Sequence, residues 1–372
     1  MKTLHQLGIF LLLALAVLLS GCPDAQQAIV VNGSSDNASA VDLSTGVVTS
    51  DLGGMTLGPV PNRIEMVGTT AYVVNSGDFT GANPSLQVID VITKTVVNTI
   101  PIPDGENPWD LAVVSPNKVY VTALYGNNVT IIDPTVQGAA GVLGTIPLPT
   151  FGGVPAGPAS IIVLGGYAYT ANSGYDAATF GYVTGSVSVI DTSTDTLVDV
   201  DGDPGNGSDT PIFTTGLNPQ DLAVDGEGEI HVVCTGDYWS VFGIVDVIDP
   251  TSWSVTGSIP LGGTPGNISI AKGFALVGAG DADSCDLFIY KTDTNVVWAD
   301  GSNPFTLIAS SGWCTVGKIA VSQTEEWAYV PMGVWGAEAF LMECQVSDEP
   351  IFKRIFDLAP GANLPSGVGL IY

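Results

Sequence analysis

Positive charge is scarce in this sequence. Its 372 residues include nine Lys and Arg against 37 Asp and Glu, which gives a formal net charge of −28 at pH 7. This balance excludes a nucleic-acid partner, because each phosphate contact needs a cation to displace counterions and no basic stripe is present. The acidity suits an extracellular protein or one that collects cations.

Histidine is almost absent. His5 lies at the extreme N-terminus, and His231 occupies a position in an apolar strand pattern where a tyrosine usually stands. A single histidine cannot build a His-rich copper or zinc site, and no Ser, His and Asp are spaced as a catalytic triad. We therefore expect a packing role for His231, and the chain is expected to be a binding protein more than an enzyme.

Charged residues make up only 12% of the sequence, whereas glycine occurs 46 times. Val and Thr are also abundant, and β-branched residues suit pleated strands while glycine suits tight turns. The chain is long for one ordinary domain unless its fold is a repeat or a barrel. Beyond the N-terminus no stretch approaches the ~18 apolar residues of a transmembrane helix. These features predict an all-β protein.

The N-terminus has the pattern of a signal peptide. Lys2 precedes an apolar run from Leu7 to Leu19, which is shorter than the ~20 residues that span a bilayer. The run ends in Leu-Ser-Gly-Cys22, which resembles the lipobox of bacterial lipoproteins, and this implies cleavage after residue 21 and a lipid on Cys22. Because Pro23 follows, and not aspartate, we expect export to the outer membrane or cell surface, with residues 22–27 as a tether. An ordinary secretory signal with a chance cysteine is the alternative.

The rest of the chain repeats a unit of four short strands. The first strand begins at a proline, the second reads like Tyr72-Val-Val-Asn75, and the third reads like Gln87-Val-Ile-Asp90. Four strands in a period of about 40–60 residues are typical of a propeller blade. Seven residues mark the starts of innermost strands: Pro61, Pro108, Pro158, Pro219, Pro265, Val316 in the proline's place, and Pro365.

These motifs resemble the YVTN β-propeller family over nearly all of residues 28–372. The resemblance implies a seven-bladed propeller of four-stranded antiparallel blades. The chain starts on a second strand at residue 28 and ends on a proline-led first strand. We therefore expect the C-terminal strand to become the innermost strand of blade one, which closes the ring and removes open sheet edges.

The loops between second and third strands, and those leading into innermost strands, are expected to share one face, which we call the top face. Asp, Gly and aromatic residues in these loops either recognise a ligand or simply form turns and cap the blades. The candidate binding residues in these loops are Asp78, Tyr125, Asp176, Asp237, Trp239, Asp281 and Trp335.

A second set of residues follows each strand-leading residue by two positions. Strand alternation predicts that they line the mouth of the central channel. The set consists of Arg63, Asp110, Ser160, Asp221, Asn267, Lys318 and Gly367. Its acidic and polar members allow a lactonase-like or other propeller hydrolase as the alternative function.

An acidic segment contains Asp199, Asp201, Asp203 and Asp209. Alternating carboxylates and glycines resemble calcium loops, because Ca²⁺ prefers six to eight oxygen ligands. Pro204 stands where an EF-hand needs glycine, so a solvated acidic turn is the alternative. Calcium is the only cofactor that the sequence suggests.

Four cysteines follow Cys22. Outside the cytoplasm they can pair in three ways. Cys285 and Cys314 are both expected on the top face, so we predict a disulfide between them. Cys344 is expected to be buried and free, and Cys234 replaces the asparagine of the second-strand motif.

The sequence thus predicts an exported, lipid-anchored propeller that binds or scaffolds. The expected partner is an envelope protein or a glycan, recognised by the top-face loops, with the membrane contacted through the lipid on Cys22.

Overall fold

The computed structural model describes residues 25–203, 209–309, 312–336, 338–347, 351–358 and 363–372. Their secondary structure is almost entirely β: seven antiparallel blades of four strand positions each form a ring, as the sequence predicts. Two short 3-10 turns, Ser50–Gly53 and Gly138–Gly141, are the only helical segments of the described residues.

Blades one to three are regular. From the channel outwards, blade one consists of Pro365–Ile371, Gln27–Asn32, Asn37–Asp42 and Val48–Thr49. Blade two consists of Pro61–Val67, Thr70–Asn75, Ser85–Asp90 and Thr95–Pro101. Blade three consists of Pro108–Ser115, Lys118–Ala123, Asn128–Ile132 and Val142–Pro147.

Three of the other four blades have an interrupted strand. Blade four consists of Pro158–Leu164, Tyr167–Asn172, Thr184–Asp191 and an outer position shared by Thr196–Leu197 and Ile212–Leu217. Blade six consists of Pro265–Ala271, Phe274–Gly280, Ser284–Lys291 and an outer position shared by Val297–Ala299 and Phe305–Ala309. In blade seven the inner position is shared by Cys314–Val316 and Ala320–Val321, and the strands Trp327–Val334, Ala339–Gln345 and Ile351–Asp357 follow. Blade five is uninterrupted and consists of Pro219–Val224, Ile230–Cys234, Ile244–Asp249 and Ser254–Pro260.

The ring closes as predicted. Strand Pro365–Ile371 pairs antiparallel with strand Gln27–Asn32, with Ala28 opposite Leu370 and Val30 opposite Val368. The backbone N–H of Gln26 also donates to the carbonyl of Ile371 at 2.8 Å. The first and last parts of the described chain therefore share one sheet, and strand Gln27–Asn32 is paired on both sides.

The hydrophobic core lies between the blades. Seven clusters of buried residues are found in the described structure, and each joins two consecutive blades. The cluster across the closure packs Tyr329 and Leu341 of blade seven against Val30 and Leu370 of blade one. Each blade is apolar on both faces and buries them against its two neighbours, so a single isolated blade would expose both.

The repeated motifs have structural causes. The aspartate that ends the third strand accepts hydrogen bonds from backbone N–H groups of the following turn, as Asp90 does from Ile92 at 2.9 Å and Thr93 at 3.0 Å. The motif asparagine is fully buried and binds the third strand: Asn172 Nδ2 donates to Ser188 Oγ at 2.9 Å. The motif aspartate thus pairs backbone N–H groups of a turn, and the motif asparagine pairs polar side chains of a buried strand. Without them these groups would lack hydrogen-bond partners.

His231 has the packing role expected of it. It is fully buried, its Nε2 lies 3.2 Å from Asp225 Oδ2, and its Nδ1 lies 2.8 Å from the hydroxyl of Tyr290. Burial lowers the pKa of His231 despite the neighbouring carboxylate. The neutral ring therefore donates to Asp225 and accepts from Tyr290, which links blades five and six.

Candidate functional site

Six of the residues predicted for the channel mouth come together in one ring of hydrogen bonds and ion pairs. Arg63 Nη2 donates to Asn267 Oδ1 at 2.6 Å, and Arg63 Nε lies 3.5 Å from Asp110 Oδ1. The Ser160 hydroxyl lies 2.6 Å from Asp110 Oδ2 and 2.8 Å from Asp221 Oδ1. The contacts connect blades two, three, four, five and six around the axis.

Lys318 completes this mouth ring from blade seven. It lies at the break between Cys314–Val316 and Ala320–Val321, where its backbone N–H donates to the carbonyl of Ser366. Its Nζ forms an ion pair with Asp221 Oδ2 at 2.5 Å and also donates to the carbonyl of Ile268 at 2.9 Å. Gly367 forms a parallel bridge with Lys318 and supplies no side chain.

The carboxylates of the mouth ring are fully engaged. Asp110 also accepts from the N–H groups of Leu111 and Ile161, and Asp221 from the N–H of Ile268. Burial alone would raise the pKa of Asp221, but Lys318 and Arg63 hold that pKa below its ordinary value. The positive charges of Arg63 and Lys318 balance the negative charges of Asp110 and Asp221. The ring therefore has no net charge and joins the inner strands of neighbouring blades. Every oxygen of these two carboxylates already has a partner in the protein, so neither carboxylate is available to bind a metal or a substrate.

The predicted top-face aspartates form turns. Asp78, Asp176, Asp237 and Asp281 each accept at least one backbone N–H from the residues that follow them; Asp237 accepts from Trp239 at 2.9 Å, from residue 240 at 2.7 Å and from residue 241 at 2.8 Å. Hydrogen bonds lower the pKa values of three of these aspartates: the hydroxyls of Thr80 and Thr179, and then backbone N–H groups, act on Asp78 and Asp176, and backbone N–H groups act foremost on Asp237. Of the two interpretations of these aspartates, the structure favours turn formation.

The predicted top-face aromatics are exposed. Trp239 is 88% exposed, Tyr125 68% and Trp335 61%. Tyr125 and Trp335 each line a cavity on the top face, and Trp239 lines neither of these two cavities.

A cleft of about 820 Å³ lies where blades three, four and five meet at the top face. We call it the aromatic cleft. Its aromatic lining consists of Trp109, Tyr125, Tyr175, Tyr182 and Tyr238. Tyr182 lies between two of the others: its ring centroid is 5.5 Å from that of Tyr175 and 6.3 Å from that of Tyr238. Tyr175 and Tyr182 are held on a small hairpin of strands Tyr175–Asp176 and Gly181–Tyr182.

The polar lining of the aromatic cleft comes from the entry to blade five. Asn218 has a positive φ of 59° and is fully buried, and its Oδ1 accepts from Gln220 Nε2 at 2.6 Å. Its Nδ2 lies beside the phenol groups of Tyr182 and Tyr238 but makes no hydrogen bond of normal geometry. Burial and the neighbouring tyrosines raise the pKa of Tyr182 to about 12, so its hydroxyl stays protonated at neutral pH.

Two smaller cavities adjoin the aromatic cleft. A cavity of about 330 Å³ shares Trp109 with it and is also lined by Phe79 and Trp335. A cavity of about 180 Å³ shares Gln220 and Tyr238 with it and includes Trp313. The two smaller cavities also share Thr315 and Val316, so the three cavities surround the channel mouth on the top face.

Sequence reasoning did not single out Trp109, Tyr182, Asn218 or Gln220. One signal was present for Trp109: it follows the leading proline of blade three, where the other six blades carry Asn, Ala, Gln, Gly, Gly and Ser. No comparable signal marks Asn218, because its role depends on loops of different blades meeting in space.

The predicted disulfide between Cys285 and Cys314 is present, with the Cα atoms 5.3 Å apart. It joins the third strand of blade six to the inner strand of blade seven. Cys344 is buried and free, as expected, and so is Cys234. Burial raises the pKa of Cys344 to about 12 and that of Cys234 even further, so both thiols are protonated and unreactive.

The predicted calcium segment is described only in part. Residues 204–208 lie outside the described residues, while Asp199, Asp201, Asp203 and Asp209 lie within them. No group of three or more His, Cys, Asp or Glu residues in the described part of the chain is arranged to hold a metal ion.

The predicted signal peptide (1–21) and Cys22 also lie outside the described residues, as do residues 23 and 24 of the predicted tether. Ala25 already packs in the core, and Gln27 is the first residue of its strand, one residue before the predicted start of the propeller. No helix in the described ranges is long and apolar enough to cross a membrane.

Comparison with known proteins bears on the fold alone. The chain matches no protein-family model and no curated protein. Among solved structures it is similar to a quinonprotein alcohol dehydrogenase-like protein of Bacteroides thetaiotaomicron, with 12% identity over 94% of this chain and 79% of the other and a TM-score of 0.63. It is also similar to a functionally unknown protein of Desulfotomaculum acetoxidans, with 14% identity over 94% and 99% of the two chains and a TM-score of 0.60.

Virginiamycin B lyase of Staphylococcus aureus is a third similar structure, with 11% identity over 83% of this chain and 89% of the lyase and a TM-score of 0.58. These likenesses show a propeller. At such low identity no activity is carried over from any of the three, since one fold hosts many functions.

Proposed function

We propose that this chain is a cell-envelope lipoprotein of the YVTN-propeller type that binds a protein or a glycan through its top face without catalysing a reaction. The observation that carries the proposal is the aromatic cleft. Concave sites with aromatic walls and a few polar groups are typical of ligand recognition, and here loops on a rigid ring supply them.

The chemistry of the mouth argues for binding over hydrolysis. A lactonase-like site would need carboxylates that are free to hold a metal or activate water. Asp110 and Asp221 are instead buried and paired with Arg63, Ser160 and Lys318. With Asn267, these residues hold the inner strands of six blades, two to seven, in register beneath the binding face.

The proposed cellular location, the outer membrane or cell surface, rests on the sequence. The apolar run and the Cys22 motif support export and lipid anchoring, and the charge of −28 suits a protein outside the cytoplasm. A lipid anchor at the N-terminal side of blade one would leave the loops of the top face free to meet a partner.

The test is capture of envelope components by the purified mature chain and by a Tyr125→Ala/Trp335→Ala variant. Both side chains are well exposed, so the fold should tolerate their loss. The matched control is Trp298→Ala, which removes a partly exposed aromatic from the outer strand of blade six. We expect specific capture by the wild type and the control and a strong loss in the double variant. Equal recovery of every component by all three proteins would rule out the top face as the binding surface.

A further inference from the structure

The lining of the aromatic cleft carries no charge. Its residues, all of them described, are aromatic, aliphatic, amide and hydroxyl in type. An anionic ligand would find no cation there, and the net charge of −28 would repel it. A quaternary ammonium ion would be attracted by the net charge and by the aromatic faces, but the cleft has no carboxylate to pair with it. The cleft therefore suits a neutral ligand.

The floor of the cleft has a hydrogen-bond donor that is poorly paired within the protein. Asn218 is fully buried, yet its Nδ2 has no partner of normal geometry. A buried amide that is poorly paired is costly, and the cost falls when a ligand oxygen accepts from it with good geometry. The hydroxyls of Tyr182 and Tyr238 lie beside this amide and can both donate and accept.

We infer that the aromatic cleft binds an uncharged saccharide, with sugar rings packed against its tyrosine and tryptophan faces and a sugar oxygen accepting from Asn218 Nδ2. This inference rests on the proposed function and names its ligand class. A pyranose has an apolar C–H face that can cover an aromatic ring and hydroxyl groups that both donate and accept. A proline-rich peptide could also pack on the rings, but its proline residues offer acceptors only.

The neighbouring cavities indicate that the saccharide is a chain of several sugars. They continue the cleft through Trp109 on one side and through Gln220 and Tyr238 on the other. The two smaller cavities meet at Thr315 and Val316, where Trp335 and Trp313 add aromatic side chains. Sugars beyond the first would find further aromatic surface. Affinity should therefore rise with the length of the saccharide.

The test is binding of the mature chain to an array of neutral and acidic oligosaccharides of graded length, followed by calorimetry with the best neutral one. Asn218→Gly removes the amide donor. Glycine adopts the positive φ of this position without strain, whereas alanine would be strained there. Tyr182→Phe removes one hydroxyl and keeps the ring. Each is expected to weaken binding roughly tenfold, the effect of losing one buried hydrogen bond.

Phe180→Ala is the matched control, because Phe180 is exposed on the same hairpin but does not line the cleft. Its affinity should equal that of the wild type. Thermal melting of each variant shows that it is folded.

The outcomes separate this inference from the proposed function. Binding of neutral oligosaccharides that weakens in Asn218→Gly and Tyr182→Phe supports both. If no neutral oligosaccharide binds, but a proline-rich peptide or an envelope protein does and Tyr125→Ala/Trp335→Ala abolishes that binding, the saccharide is wrong and the proposed function stands. If nothing binds to the top face, both are wrong.

Discussion

Glu65 lies two residues after Arg63 on the inner strand of blade two, largely buried beside the mouth ring. Its Oε2 accepts from the backbone N–H of Val113 at 3.2 Å. Burial, with a smaller contribution from the charge of Asp110, raises the pKa of Glu65 to about 7, against an ordinary value of 4.5. A carboxyl whose folded-state pKa is raised favours the folded state while it is protonated. Its ionisation therefore destabilises the protein progressively as pH rises from about 4.5 to about 7, and the penalty is constant above that.

Replacement of Glu65 by glutamine should remove this pH dependence. At pH 8 the free energy of unfolding should rise by up to about 3 kcal/mol, and near pH 4 it should differ little from the wild type. Urea unfolding at the two pH values measures this, with Glu338→Gln, an exposed carboxyl, as the control. A Glu65→Gln protein that is no more stable than the wild type at pH 8 would show that the ionised carboxylate is well accommodated.

Single residues also show what the sequence could predict of the site. Strand alternation was enough to select Arg63, Asp110, Asp221 and Lys318, because all start from the same position of a repeated strand. It could not show that they pair with one another, since that depends on the distance across the axis. Nor could it select Asn218, because the hydrogen-bond donor of this buried amide becomes available only when the loops of blades four and five meet around it.

At the level of strands, repetition explains which elements were predictable. The second and third strands carry the tyrosine, asparagine and aspartate motifs, and their starts and ends agree closely with the sequence pattern. The outer strands have no motif: each lies at the outer edge of its blade and pairs with one strand only, so interruptions are tolerated there. The splits at residues 196–217 and 297–309 were accordingly not foreseen, nor was the break in the inner strand of blade seven.

The disulfide is the one covalent link between strands of different blades in the described structure. Cys285 and Cys314 are separated by 29 residues, and closing such a loop in the unfolded chain stabilises the fold by about 3.5 kcal/mol at most. A Cys285→Ala/Cys314→Ala variant should therefore melt about 5 °C lower than the oxidised wild type.

Reduction provides the control for this effect. Dithiothreitol should lower the Tm of the wild type towards that of the double variant and leave the variant unchanged, because the remaining thiols of Cys234 and Cys344 are buried and unpaired. An unaltered Tm of the wild type in reductant would mean that the link does not hold blades six and seven together.

At the scale of the whole molecule, closure of the seven-bladed ring holds together the loops that form the aromatic cleft. Antiparallel pairing of Pro365–Ile371 with Gln27–Asn32 fixes all seven blades in one ring, and the mouth ring ties their inner strands together at the top. Loops from blades three, four and five can then form one cleft whose walls do not move apart. A rigid frame lowers the entropy cost of binding, because the aromatic side chains are already in place.

The most direct measurement is hydrogen–deuterium exchange of the mature chain with and without the best-binding neutral oligosaccharide of the array. The account predicts slower exchange in the top-face segments around Tyr125, residues 175–182 and residues 235–238, and unchanged exchange in the turns of the opposite face, such as Asp90–Thr95. Protection confined to those opposite turns, or to the outer strands, would contradict the placement of the ligand in the aromatic cleft.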